Sequence, residues 1–300
     1  MLRRLAALAA LPIAASAHAQ QIEPRSYANA PIGVNFLVAG AVYSRGGLEF
    51  DPGLPADNER LNVTTAVLAY ARTFGVCGRS GKFDVVVPYG SLSGSVDFAG
   101  QHLTRDVSGL LDPTMRIGVN LLGSPALSLG DFRGWRQDLI VGTSLQVGMP
   151  LGQYDGTRLV NLGTHRWTFR PEVGVSKALG PWQLELKAAA TFFTANHDFF
   201  GGRTRSQDPL YSTGAHLVYN FPSTMWASVD ATYYAGGRTT IDGALANDLQ
   251  QNWRVGATLA IPVDRNNSVK LYASSGVAAR TGNNFDLLGA AWQYRWGGGL

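Results

Sequence analysis

The feature that most constrains this sequence is a series of about twelve segments, over residues 32–296, in which apolar residues occupy every second position. In Leu139 to Met149 the odd positions are mostly apolar, and Gly142, Ser144 and Gln146 alternate with them. Successive side chains of a β-strand point to opposite faces, so this period predicts strands with one apolar face each. Charged residues recur within the segments on the second face, which must therefore meet water or polar groups.

The links between these segments alternate in length. The first, third, fifth, seventh and ninth links are long: Arg45 to Arg60, Ser93 to Leu111, Leu151 to Gly163, Asn196 to Asp208 and Ala235 to Gln250. Most other links are short: Gly75 to Gly81, Ala178 to Gly180, Pro222 to Thr224 and Val263 to Asn267. Leu122 to Arg136 is longer than this rule predicts, and Thr281 to Asn284 is shorter. Long and short links thus lie at opposite strand ends, which is typical of outer-membrane barrels with short periplasmic turns and long outer loops.

The start of the chain has the features of a secretory signal peptide. Arg3 and Arg4 precede an apolar run, and Ala17-His18-Ala19 forms a small-x-small cleavage motif. The predicted organisation is a signal peptide over residues 1–19, a short N-terminal periplasmic segment over residues 20–31 and an outer-membrane barrel over residues 32–300. The segment from Gln21 to Ala30 is the only candidate for a flexible tail or small plug, and it is too short to form a folded plug domain.

Composition narrows the class of protein. No stretch after the signal approaches the roughly 18 uninterrupted apolar residues of a membrane helix, whereas a closed barrel satisfies its backbone groups without one. The formal charge is +4, and removing Arg3 and Arg4 leaves 23 basic against 21 acidic residues, or +2. This near-neutrality gives no support to a nucleic-acid partner. The single cysteine, Cys77, excludes an intramolecular disulfide, and we interpret it as an inert turn residue rather than a site of pairing with another chain.

The fold class predicted from these patterns is all-β: a transmembrane antiparallel β-barrel of about 12 strands, with an uncertainty of two strands. Aromatic residues at strand ends support it, because indole and phenol rings favour the lipid headgroup level. The predicted girdle tryptophans are Trp167 and Trp253 at the outer rim, and Trp182, Trp226 and Trp296 at the periplasmic rim. In the alternative, a soluble periplasmic sandwich, bulky aromatics would cap the strand ends in the same way.

The central region resembles a known bacterial family. The stretches Pro150 to Asp155, Arg158 to Gly163 and Arg166 to Glu172 are similar to the signature of an outer-membrane family named for the meta-pathway of phenol degradation. The resemblance implies an outer-membrane barrel associated with aromatic catabolism and loosely related to channels for fatty acids and aromatic hydrocarbons. It implies no catalytic residues. One departure from many barrels is the end of the chain, where Tyr294 and Trp296 are followed by three glycines and Leu300.

The alternation assigns a set of polar side chains to the lumen. The candidates for a transport path are Arg116, Arg166, Arg170, Glu172, Glu185, Lys187, His216, Asp230, Arg254, Lys270 and Arg295. Folding back at the turn after Ala178 brings Glu172 opposite Lys187, which predicts a cross-strand ion pair. Such charges either fix strand register or recognise an anionic or phenolic group. Pro171 and Pro88 cannot donate to a ladder, so each predicts a bulge or a rim position.

A catalytic alternative rests on His216, Ser228 and Asp230, which the register brings together. A serine, a histidine and a carboxylate can build a nucleophile and its base. These residues point into the lumen, however, away from lipid, so we expect a hydrogen-bond cluster and no enzyme. The remaining histidines lack paired metal-ligand spacing, and no phosphate-binding loop is present, so we expect no metal and no cofactor.

The sequence therefore predicts an outer-membrane channel for small hydrophobic or aromatic molecules. Its expected partners are outer-membrane lipid, such a solute and the barrel-assembly machinery. The first alternative is a non-transporting envelope or adhesion barrel whose loops bind a partner, and the second is a barrel hydrolase. About twelve strands leave a lumen wider than the filled interior of eight strands and narrower than a general diffusion pore.

Overall fold

Antiparallel pairing of strands that follow one another in the sequence builds the fold. The computed structural model describes residues 23–48, 51, 54, 56–282 and 284–300. The predicted signal peptide, residues 1–19, lies outside the described residues. The strands are β1 (Val34–Gly46), β2 (Asp57–Val76), β3 (Arg79–Phe98), β4 (Gln101–Leu110), β5 (Thr114–Leu122), β6 (Leu139–Gly148), β7 (Thr168–Leu179), β8 (Trp182–Phe193), β9 (Asn196–Phe199), β10 (Arg203–Gln207), β11 (Leu210–Asn220), β12 (Trp226–Gly236), β13 (Thr239–Ile241), β14 (Ala244–Leu245), β15 (Gln250–Pro262), β16 (Asn267–Ala279) and β17 (Asp286–Gly297).

The wall closes because β1 pairs with both β2 and β17. Asn35 lies opposite Arg72 on one side and Trp296 on the other. β4 and β5 together act as one wall strand, since β4 pairs with the upper half of β3 and β5 with its lower half. The result is a closed barrel of 12 antiparallel strands, which confirms the predicted fold class.

The two ends of the barrel differ as predicted. Tight turns such as Val76–Arg79 and Leu179–Trp182 lie at one end, here called the turn end, and the longer connections lie at the other, the loop end. Cys77 and Gly78 form the first turn at φ values of 48° and 72°, a left-handed pair typical of two-residue hairpins. A short helix, α1 (Leu129–Phe132), explains the long link at the turn end. None of the helices within the described part of the chain has the length and apolar character to span a membrane.

One long link is mostly strand and not loop. The segment from Ser93 to Leu111 was expected to be an outer loop, but β3 continues to Phe98 and β4 returns from Gln101. The turn between them is Ala99-Gly100, with both residues at positive φ. The link between β12 and β15 and the link between β8 and β11 also contain strands, which pair as a small outer sheet in the order β14-β13-β10-β9.

The two faces of the wall have opposite character. Large apolar side chains are exposed on its outer face around the barrel, among them Leu68, Ile117, Val173, Leu186, Val229, Leu271 and Leu288. A soluble monomer rarely exposes apolar area on this scale, whereas a barrel in lipid requires it. On the inner face, apolar residues of β1 and β2 pack around Ala30, and a second apolar cluster fills the loop end.

The wall strand formed by β4 and β5 is interrupted at Leu111, Asp112 and Pro113. Pro88 faces this break: Val86 pairs with Thr114, the next pair is Tyr89 with Leu110, and the register changes between them. An irregularity at Pro88 is as predicted. The expectation for Pro171 is wrong, because its register with β6 is continuous and it lies within the wall. On the other side of β7, the pairing with β8 keeps the same register but leaves out Arg170 and Pro171.

Candidate functional site: the lumen and its inserted segments

The inner faces of the wall strands hold most of the predicted lumenal residues. Arg116, Glu172, Glu185, His216, Asp230 and Arg254 are all less than 9% exposed. Arg170, Lys187 and Lys270 are half-buried on the same face. Their burial reflects tight packing of the interior by chain segments that the alternation did not predict to be there.

The N-terminal segment is the first of these. The sequence predicts a periplasmic segment over residues 20–31 and a flexible tail or small plug over Gln21 to Ala30. Residues 23–30 lie inside the barrel at the turn end, as a small plug does, and the periplasmic placement is wrong for them. The backbone nitrogen of Arg25 donates to Glu185 at 2.5 Å, and its guanidinium donates to Asn220 at 3.2 Å. The Tyr27 hydroxyl donates to Glu172 at 3.0 Å. These polar groups find their partners on the neighbouring strands β7, β8 and β11, whereas Ala30 packs against β1 and β2 on the other side of the lumen.

A carboxylate and arginine group anchors the start of this segment. The Arg116 guanidinium pairs with Glu23 and, at 2.6 Å, with Asp84 on β3. All three side chains are buried, so each charge depends on the others for compensation. The Lys187 ammonium donates to the Glu23 carbonyl at 2.6 Å and to Ser26 at 3.1 Å.

The predicted Glu172–Lys187 ion pair is not formed. The register places Glu172 opposite Ala189 and Lys187 opposite Gly174. Glu172 pairs instead with Arg170 on its own strand, at 2.8 Å. The Lys187 ammonium donates instead to the inserted segment, at Glu23 O and Ser26 Oγ.

We call the residues at this level the lumenal polar cluster. It comprises Glu23, Tyr27, Lys82, Asp84, Arg116, Arg170, Glu172 and Lys187. Four of its members are basic and three are acidic, and one of the acids, Glu23, belongs to the inserted segment. The cluster therefore carries a formal charge of +1 with Glu23 and +2 without it.

The second inserted segment is the connection between β6 and β7, residues 149–167, which contains most of the family-like signature. Asp112, at the break in the wall, accepts hydrogen bonds from Gly152 N at 2.9 Å and from Thr164 N at 2.8 Å. Asn161 closes an internal turn by accepting from Asp155 N and donating to Arg158 O. The signature residues thus hold this connection in an inward fold.

Arg166 belongs to a separate group at the loop end. Its guanidinium lies 3.2 Å from Asp51 and 4.4 Å from the centroid of the Phe193 ring. Asp51 also pairs with Arg205, at 2.7 Å. Burial, and then the neighbouring Arg205, lower the pKa of Arg166 to about 10. Arg166 therefore lies above the lumenal polar cluster and not beside Arg170.

The remaining candidates are distributed along the barrel. Arg254 donates to Phe285 O at 3.0 Å and to Ser274 at 2.8 Å, and it covers the Phe285 ring at the loop end. Lys270 lies over the Tyr272 ring. Arg295 is at the turn end, where it donates to the Arg265 carbonyl at 2.8 Å. These residues form no single site.

His216, Ser228 and Asp230 lie together, but their hydrogen bonds do not connect the serine to the histidine. His216 Nδ1 lies 2.7 Å from Asp230, and Ser228 donates to the other Asp230 oxygen at 3.0 Å. The serine is thus hydrogen-bonded to the carboxylate, while a nucleophile needs its hydroxyl on the histidine base. No group of three or more histidine, cysteine or acidic residues within the described ranges could hold a metal ion.

One girdle prediction is wrong. Trp167, Trp182, Trp253 and Trp296 are each more than a third exposed on the outer wall, but Trp226 is 1% exposed. Trp226 has the same parity as Ser228 and Asp230, so it faces inward. There it packs with Val218 and Ala260 and lies 5.3 Å beneath the Arg25 guanidinium. Applying the alternation of β12 to Trp226 itself would have given this result.

Sequence reasoning missed several members of the lumenal polar cluster. Lys82 and Asp84 share the inward parity of β3, and that signal was available. Glu23, Arg25 and Tyr27 precede the barrel and have no strand period, so their position depends on the folded wall. Arg166 pairs with Asp51, which also pairs with Arg205, and both of these residues are far from Arg166 in the sequence.

The chain is similar to known outer-membrane proteins. The family described as “Putative MetA-pathway of phenol degradation” matches residues 42–294. The crystal structure of an outer membrane channel from Pseudomonas putida F1 has a TM-score of 0.76 and 19% identity, and the match covers 92% of this chain and 100% of that one. The transport unit of the autotransporter AIDA-I from Escherichia coli has a TM-score of 0.51 and 9% identity over 92% of this chain and 93% of its own. No curated protein matches the sequence.

Proposed function

We propose that this chain, which belongs to the family described as “Putative MetA-pathway of phenol degradation”, is an outer-membrane channel for small hydrophobic or aromatic molecules. The apolar outer wall and the exposed tryptophans at both rims support insertion in lipid. Delivery by the barrel-assembly machinery is part of the proposal. The stacked series Trp292, Tyr294 and Trp296 on the last strand would carry the assembly signal.

The observation that carries the proposal is that the lumen is filled by chain segments and not by the wall itself. Glu23–Ala30 is held by hydrogen bonds and ion pairs, not by a strand ladder. Its displacement would open a space bounded by Arg116, Arg170 and Lys187. This basic surface suits an aromatic solute that carries an anionic or phenolic group.

Uptake into liposomes tests the channel. The protein is reconstituted, and influx of 4-hydroxybenzoate, a long-chain fatty acid and glucose is compared. We expect the aromatic anion to enter faster than glucose, and Arg170→Gln to reduce that advantage. Asp138→Asn, which removes an exposed ion pair with Lys177, is the matched control and should change nothing. Equal rates for all solutes with a correctly folded barrel would reject the selective channel.

Deleting residues 23–30 tests the role of the inserted segment. We expect faster influx than in the intact protein, because the deletion removes the segment and leaves the wall pairs in place. The double substitution Glu23→Gln and Tyr27→Phe weakens two tethers and should give an intermediate rate. Unchanged influx in both variants would show that this segment does not limit passage.

The non-transporting alternative has one favourable observation. The strands β9, β10, β13 and β14 form a second sheet beyond the loop end, which could present a surface to a partner. Replacing Thr239–Leu245 by a short glycine linker would then abolish partner binding and leave permeability unchanged. Loss of permeability with binding intact would favour the channel instead.

A further inference from the structure

A pocket at the loop end contains no residue of the lumenal polar cluster. It is formed between β2, the β3–β4 hairpin, the β6–β7 connection and the residue after β9. Its lining residues are Leu61, Ser95, Leu103, Thr104, Arg105, Thr157, Arg158, Leu159, Val160 and Phe200. Its empty volume, including the open mouth, is about 380 Å³.

The floor of this pocket is apolar and rigidly held. Leu61, Leu159 and Val160 are at most 5% exposed and belong to the apolar cluster that fills the loop end. Phe200 closes one side, and its ring meets Phe98 edge to face with centroids 5.8 Å apart. These side chains make one side of the pocket apolar.

The rim of the pocket is basic. Arg105 donates through Nε to the Val160 carbonyl at 3.1 Å, which positions its guanidinium while leaving its two terminal nitrogens without a hydrogen-bond partner among the described residues. Arg158 is exposed, and its guanidinium likewise has no hydrogen-bond partner in the described part of the chain. Hydroxyl groups of Ser95, Thr104 and Thr157 complete the rim.

The Asp155 carboxylate does not cancel this charge. Asp155 accepts hydrogen bonds from Thr157 N at 2.9 Å and from the Thr157 hydroxyl at 2.6 Å. These bonds first, and then Arg105 and Arg158, lower the pKa of Asp155. Asp155 is not part of the lining, and even when it is counted, Arg105 and Arg158 leave a formal charge of +1 beside the apolar floor.

We propose that this pocket binds a small amphipathic monocarboxylate, with its apolar body on Leu61, Leu159 and Val160 and its carboxylate between Arg105 and Arg158. A hydrocarbon would leave the guanidinium groups without an anion, and a small hydrophilic anion would leave the floor uncovered. The inference rests on the proposed channel, for which the pocket is an outer capture site.

Binding of benzoate to the detergent-extracted protein tests the proposal, with acetate and benzyl alcohol as the two half-ligands. Titration calorimetry should show benzoate binding more tightly than either one. Arg105→Gln with Arg158→Gln should weaken benzoate binding roughly tenfold and leave benzyl alcohol unaffected. Arg158→Gln alone, which removes no contact within the fold, should weaken it roughly threefold. The control Arg203→Gln, on the same end but outside the pocket, should bind as the unchanged protein does.

The outcomes separate this inference from the proposed function. Absence of benzoate binding, equal binding in the double variant, or acetate binding as tightly as benzoate would each overturn the pocket assignment. Influx in liposomes is measured on the same preparations. Influx without pocket binding would leave the channel standing and remove the capture site, whereas pocket binding without influx would reject the channel while keeping the site.

Discussion

At the scale of single residues, the interior is governed by compensation of charge. Arg116 illustrates this best, because its guanidinium neutralises two buried carboxylates, Glu23 and Asp84, from different parts of the chain. Removing one partner of a buried ion pair leaves the other charge uncompensated. The resulting loss in the free energy of unfolding is larger than the net contribution of the intact pair. Arg116 therefore links the inserted segment to the wall.

Replacing Arg116 by glutamine is predicted to lower the free energy of unfolding by about 3 kcal/mol, because Glu23 and Asp84 are left buried with a neutral partner. Urea unfolding in lipid vesicles measures this change. Arg79→Gln, at an exposed position of the first turn, is the control and should stay within about 0.5 kcal/mol. Equal effects of the two substitutions would contradict the anchoring role of Arg116.

A second residue-scale prediction concerns Trp226, which faces the lumen, whereas Trp167, Trp182, Trp253, Trp292 and Trp296 are exposed on the outer wall. Brominated lipids quench tryptophans that contact the bilayer. Trp226→Phe should therefore leave the quenched part of the fluorescence unchanged, whereas Trp296→Phe should reduce it. A loss of quenching in Trp226→Phe would place this side chain in the girdle after all.

At the scale of elements, the long hairpin of β2 and β3 depends on a glycine in its upper part. Gly94 has φ of 143°, and a Cβ there would lie 2.1 Å from the Arg60 carbonyl oxygen. The register of the two strands shifts between Asp57 and Arg60, close to this contact. The hairpin can form this close approach only with a residue that lacks a side chain.

Gly94→Ala is predicted to destabilise the upper hairpin by about 2 kcal/mol, through both the clash and the positive φ. Gly100→Ala is the matched control, because Gly100 has φ of 77° and nothing within 4 Å of a Cβ. It should cost about 1 kcal/mol. Amide hydrogen exchange over Ser91 to Asp106 measures both, and faster exchange in Gly100→Ala than in Gly94→Ala would refute the close-approach explanation.

At the scale of the whole molecule, the closed ladder and the apolar outer wall define the environment that the barrel needs. Since β1 pairs with β17, the ring closes, and among the described wall strands only β4 has a strand partner on one side alone. The exposed leucine and valine side chains around the outer wall require lipid or detergent. These properties distinguish the barrel from the soluble periplasmic sandwich that the sequence also allowed.

Cell fractionation checks this distinction. The protein is predicted to sediment with the outer membrane, to need detergent for extraction and to migrate faster in SDS gels before boiling than after. A soluble periplasmic protein and a boiled sample serve as controls. Recovery in the soluble periplasmic fraction, with a single mobility in the gel, would overturn the membrane assignment.

By itself, the sequence determined the wall. Alternation with a period of two is a local property of each strand, so it assigned the lumenal faces of β7, β8 and β12 correctly, and link lengths assigned the two ends. The same rule, applied to Lys82, Asp84 and Trp226, would have placed them inward as well. Only the tertiary structure decided what fills the interior, because Glu23, Tyr27 and the β6–β7 connection have no strand period. Their positions follow from partners such as Arg116, Glu172 and Asp112, which meet them only after the ring has closed.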